Sequence, residues 1–92
     1  MNRTPEQIRL EAGLNQEDLA ELAGVSDACV SRIESGKTMK WRATTLLKIG
    51  NALVKVFKKQ NVEFTTREYI AACIEQRDAA IRNRPRYMRR AS

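Results

Sequence analysis

The 92-residue chain carries 17 Lys and Arg against 11 Asp and Glu, a formal charge of +6, with 42% hydrophobic residues and no histidine. That length supports one domain with a modest core, so self-association would help bury apolar surface; lacking histidine, a Gly-rich phosphate loop and a nucleophile beside a base, it predicts no enzyme, no cofactor and no metal site. The longest apolar runs are far short of a membrane span and no charged-then-apolar leader precedes the first helix, which predicts a cytoplasmic chain.

Thr4-Pro5-Glu6-Gln7 reads as a helix start, with Thr4 as cap, Pro5 at the first helical position and Gln7 closing a capping box. The first helix is expected over about 5 to 12, with Ile8 and Ala12 on its apolar side and Gly13 as terminator before Leu14 packs back. Asn15 caps a second helix whose first turn holds Glu17 and Asp18, favourable to the helix dipole. In residues 16 to 35, Ala20 is small where another helix must cross closely, Gly24 suits a sharp turn, and Ser26 offers an oxygen to the N–H groups that open the next helix. Leu19, Leu22, Ala23, Val30 and Ile33 fall on inward faces, leaving Asp27, Ala28, Ser31, Arg32 and Ser35 outward on the second of the two helices. Two short helices meeting at a tight turn, the second with a thin polar face, make a helix-turn-helix able to enter a DNA major groove.

Charge supports this reading. Residues 1 to 31 hold two basic side chains, Arg3 and Arg9, against six acidic ones, a net of −4, so the rest of the chain carries +10. The positive half begins at Arg32, inside the DNA-facing helix, although surplus Lys and Arg also keep small domains soluble. A longer helix is expected from Trp41 or Arg42 to about Lys59, with Leu46, Ile49, Leu53 and Val56 on one stripe that Leu47, Val54 and Phe57 widen. Gly50 in its middle either permits close approach of a neighbour or has no role. Asn61-Val-Glu-Phe-Thr65 breaks the helical pattern, with Val62 and Phe64 pointing the same way as in a short extended segment. Thr65-Thr66-Arg67-Glu68 then opens a last helix of about 66 to 83 that Pro85 stops. Arg82, Arg84, Arg86, Arg89 and Arg90 crowd its end, either to track phosphates or as a solvated terminus. Cys29 and Cys73 have no metal-ligand spacing and read as reduced thiols acting as small hydrophobes; a redox role for Cys29 finds no basic neighbour to activate it.

Gln16 opening the second helix, Ala20, Gly24, the run Ile33-Glu34-Ser35-Gly36-Lys37 and the following Thr45-Leu46-Leu47-Lys48-Ile49 resemble the helix-turn-helix domain of the lambda-repressor/Cro (XRE) family over roughly residues 5 to 60. The resemblance implies an all-α, five-helix lambda-repressor-like DNA-binding domain with a long C-terminal helix. The expected division is 1–62 for the DNA-binding domain, 63–84 for a dimerisation or interaction helix and 85–92 for a basic tail. Base reading is expected from Asp27, Ala28, Ser31 and Arg32. For Arg32 the choice lies between a bidentate contact to guanine and a phosphate contact or ion pair with Glu34 or Asp27; Asp27 either accepts from cytosine or opens the helix. Phosphate contacts, placed by the family at the start of the second helix and in the loop after the recognition helix, fall on Gln16, Ser35, Lys37, Lys40 and Arg42. Glu34 is expected to fasten the recognition helix to backbone or an Arg. Trp41 departs from the Pro-rich loop usual in the family and lies either in the core or against the DNA backbone.

The partners implied are double-stranded operator DNA and a second copy of the chain, with a dimer seam expected at Leu53, Phe57, Tyr69, Ile70, Cys73, Ile74 and Ile81. The expected function is sequence-specific transcription regulation, as a repressor of the kind found in phages or as a small controller of a restriction-modification operon, on a palindromic operator. The alternative is an antitoxin or other interaction module whose last helix captures a protein while the helix-turn-helix autoregulates its operon. A membrane-lying amphipathic segment over 66 to 90 is the weakest competitor.

Overall fold

The computed structural model describes residues 3–36 and 41–82, the last three of these by their backbone alone. Within them the chain is all-α, with α1 at Pro5–Glu11, α2 at Gln16–Ala23, α3 at Asp27–Ser35, α4 at Ala43–Lys59 and α5 at Thr66–Arg82. The contacts expected of Lys37 and Lys40, of the Ile81 side chain and of the arginines from Arg82 onward lie outside the described residues.

Short-range chemistry fixes the ends of the first three helices. Thr4 and Gln7 form a reciprocal capping box, Gln7 N–H donating to Thr4 Oγ1 at 3.1 Å and Thr4 N–H to Gln7 Oε1 at 2.9 Å. The Asn15 carboxamide accepts from Asp18 N–H at 2.7 Å and the Ser26 hydroxyl from Cys29 N–H at 3.2 Å. Between α2 and α3 the chain reverses at Gly24, whose φ of 72° is left-handed. Space is open around it, so backbone conformation alone selects glycine there. Val25 N–H then closes the turn on Ala20 C=O at 3.0 Å.

One core joins all five helices: Ile8, Leu19, Val30, Ile33, Leu46, Ile49, Leu53, Phe57, Phe64, Tyr69 and Cys73 belong to a single cluster. The Phe57 and Phe64 rings meet at 4.8 Å between centroids, tilted by 40°, tying the end of α4 to the segment before α5. α5 runs back along α4, Thr66 lying at Gly50 and Arg77 over Trp41. A Cβ on Gly50 would meet the Thr66 Cγ2 at 2.5 Å and its backbone Cα at 3.3 Å, so the close approach of the two helices at this point leaves no room for a side chain.

Four of the expected seam residues, Leu53, Phe57, Tyr69 and Cys73, are instead core of the single chain, each at most 2% exposed. The correction has a geometric cause. Tyr69, Ala72, Cys73 and Gln76 share the inward face of α5, whereas Ile70 and Ile74 lie about 100° or more around it at 3.6 residues per turn, on a separate face. The segment expected to be a separate interaction helix thereby completes the core. Leu22 also departs from expectation at 57% exposed, because it sits about 110° from the centre of the stripe formed by Leu19, Ala20 and Ala23. Val62 is 44% exposed while Phe64 is buried, so the two do not point the same way.

Candidate nucleic-acid interface

α3 presents two unlike faces. Val30, Ile33 and Glu34 are buried, whereas Asp27, Ala28, Ser31, Arg32 and Ser35 are exposed, which brings the four expected base-reading side chains onto one outward strip. Arg32 forms no ion pair among the described residues; Glu34, one of its two conceivable partners, is committed elsewhere. A crevice of about 300 Å³ opens beside this strip, lined by Ser26, Cys29, Arg32, Trp41, Arg42 and Thr45. It brings the expected base reader Arg32 and the expected phosphate contact Arg42 to the walls of one depression. Cys29, half-buried, lines the same crevice as these two arginines, a grouping that the sequence alone did not show.

Beneath α3 lies a polar hub. Glu34 is buried, and its carboxylate accepts from Arg9 Nε at 2.7 Å, from a terminal nitrogen of Arg9 at 3.0 Å and from the Gln16 amide at 3.1 Å. The remaining Arg9 terminal nitrogen donates to Leu14 C=O at 2.9 Å. A forked guanidinium on a carboxylate satisfies both groups at once, which burial of a charge requires. Its hydrogen bond to the Glu34 carboxylate holds the Arg9 guanidinium above its ordinary pKa. The expectation that Glu34 fastens the recognition helix to an Arg is met, with Arg9 of α1 as that residue. Arg9 was legible as part of a charge count only. Gln16, expected at a phosphate, donates one amide N–H to Glu34; the group has a second.

α5 reaches the same place from the other side. The Gln76 amide donates to Ile33 C=O at 3.1 Å and to Glu34 C=O, two of the last carbonyls of α3. Arg77 lies 5.0 Å from the Trp41 ring, stacked at the start of α4, and Trp41 packs partly buried against the core. Below them, burial pushes the Tyr69 phenol above its usual range and the neighbouring Cys73 thiol up to about 12. Among the described residues no group of His, Cys, Asp and Glu is placed to hold a metal ion, and no helix is long and apolar enough to cross a membrane.

The arrangement suits DNA: an exposed, nine-residue, narrow-faced helix, an unpaired arginine on it, and further cationic and amide groups around it that can meet phosphates. A model of the helix-turn-helix family matches residues 6–53, which is α1 through the middle of α4. Comparison with curated proteins and with solved structures gives no match.

Proposed function

Since the chain belongs to the lambda-repressor/Cro (XRE) helix-turn-helix family and is thus a DNA-binding transcriptional regulator, we propose that it acts as a repressor, binding a palindromic operator as a homodimer and occluding a promoter. The observation that carries this reading is the outward strip of α3, whose Asp27, Ala28, Ser31 and Arg32 are all solvent-exposed while the rest of the helix is anchored below. Arg32 donates two parallel hydrogen bonds to a guanine, Ala28 meets a thymine methyl, Ser31 bonds either way, and Asp27 accepts from cytosine or rejects other sequences. Gln16, Ser35, Lys37, Lys40 and Arg42 hold phosphates on either side.

With Tyr69 and Cys73 inside the core, the face of α5 left for a second copy is Arg67, Ala71, Ile74 and Asp78, one stripe opposite the buried one. Set antiparallel about a twofold axis between residues 72 and 73, Arg67 faces Asp78 of the second copy and Ala71 faces Ile74, so the stripe is complementary to itself in charge and in size. Ile70 flanks it. Such a dimer sets two recognition helices about 34 Å apart in successive major grooves.

The test is selection from a random-duplex pool, followed by salt titration and by the molar mass of the free protein. Enrichment of an inverted repeat that is bound about 10³-fold more tightly than random duplex at about 150 mM salt supports the reading. No preferred sequence refutes it. A free monomer whose mass rises only with a different bound protein favours the antitoxin-like alternative for α5.

A further inference from the structure

We infer that Gln76, on α5 and beyond the residues that meet DNA, is a positioning residue for base reading: it holds the carboxyl end of the recognition helix and thereby sets the tilt of the strip that carries Arg32. The inference rests on the reading of α3 as the base-reading helix. Its ground is an accounting of the carbonyls that end α3. Helix ends leave the last four without partners from the helix itself. Arg32 C=O accepts from the Ser35 hydroxyl at 3.1 Å and Ile33 C=O from Gly36 N–H at 3.3 Å, contacts made within α3 and its own cap. They follow the helix wherever it goes. The Gln76 amide is different: it bridges Ile33 C=O and Glu34 C=O from a helix more than 40 residues away in sequence.

Glu34 is therefore held twice, its carboxylate by α1 and α2 and its carbonyl by α5. The first grip fixes the side chain and the second fixes the backbone, so together they remove rocking of α3 about its apolar contacts. A recognition helix only nine residues long has few such contacts to resist that motion. Bidentate base contacts tolerate little misplacement, whereas phosphate contacts by flexible Lys and Arg tolerate much, so loss of the Gln76 grip weakens reading of sequence and spares general affinity. Arg77 on the Trp41 ring, one residue further along α5, holds the start of α4 at the same level, which keeps Gln76 in register with α3.

The test compares Gln76→Leu, which retains bulk and loses both donors, with Gln76→Lys, which restores a donor to the carbonyls. Binding to the selected operator and to random duplex is measured across a salt series, and amide hydrogen exchange is followed in the free protein. The expected result for Gln76→Leu is a fall of about tenfold in the ratio of operator to random-duplex affinity with the salt slope unchanged, and about tenfold faster exchange confined to residues 33 to 36. Gln76→Lys is expected to return both to within about threefold of the parent. Equal weakening on both duplexes would mean loss of folded protein alone and would overturn the inference, as would unchanged exchange at residues 33 to 36 or a lysine variant indistinguishable from the leucine one. A pool that yields no operator refutes the base-reading premise, while the exchange result still decides whether Gln76 anchors α3.

Discussion

Replacing Arg9 by Met tests the hub under the recognition helix directly. The Arg9 side chain is 8% exposed and that of Glu34 3%, so the substitution leaves a carboxylate in the interior with only the Gln16 amide as donor. Breaking a buried pair from one side costs about 3–5 kcal/mol. The lost donor to Leu14 C=O adds about 1 kcal/mol. Against a total stability of about 5–15 kcal/mol for a domain, the variant is left marginal, and at about 4–8 °C per kcal/mol its Tm falls by roughly 15 °C or more. The double variant Arg9→Met, Glu34→Leu removes both charges and is expected to recover to within about 2 kcal/mol of the parent, since an apolar pair of similar volume replaces buried ions at little cost. Urea unfolding followed by circular dichroism at pH 7 measures all members of the cycle, and the coupling should exceed about 2 kcal/mol. A single-variant loss under about 1 kcal/mol, or a cycle additive to within about 0.5 kcal/mol, would refute the account of Glu34 as a paired, buried charge.

Further outcomes concern other parts of the molecule. Gly50→Ala gains about 1 kcal/mol in helix propensity, yet its Cβ meets Thr66 backbone as well as side chain, so net destabilisation of about 1–2 kcal/mol is expected by the same unfolding assay. The Cys73 thiol, at 9.0 when unperturbed and about 12 when folded, favours the neutral form in the native state. Its contribution is therefore complete below pH 9 and lost as pH rises towards 12, with a slope of up to about 1.4 kcal/mol per pH unit; Cys73→Ala should flatten the stability curve between pH 9 and 10, below the region in which Tyr69 titrates. A thiol reagent at pH 8 should modify half-buried Cys29 in the native protein and Cys73 only on unfolding. Arg32→Ala should cost about 1–3 kcal/mol on the selected operator and relax preference at one base pair, whereas Arg42→Ala should weaken all duplexes alike and lower the salt slope by about one, both read by binding titration.

What was legible in the sequence was local. Asn15, Gly24 and Ser26 announce the turn because each acts on backbone within a few residues of itself, and the structure places the helix-turn-helix on those signals. What was not legible depended on partners far along the chain. Arg9 looked like any surface cation until Glu34, 25 residues later, folded over it, and Gln76 carried no signal at all because a lone glutamine on a helix is ordinarily solvated. In α5, apolar spacing announced a helix but not which side faced in: Tyr69 and Cys73 went to the core and Ile74 stayed outside, a choice made by packing against α1 and α4. Of the candidate DNA contacts, the outward direction of Asp27, Ala28, Ser31 and Arg32 followed from helical period, while the convergence of Arg32 with Arg42 on one crevice required the fold.

The double grip on Glu34 also bears on redesign. A segment covering α2 and α3 cannot be cut out and grafted as a portable reading head, because Arg9 of α1 and Gln76 of α5, which help to seat α3, would stay behind. The same anchorage makes the intact chain a good host for altered operator preference. Positions 27, 28, 31, 32 and 35 are solvent-facing and can be varied together, while Arg9, Glu34 and Gln76 are left in place to hold each new side chain in the register of the old one.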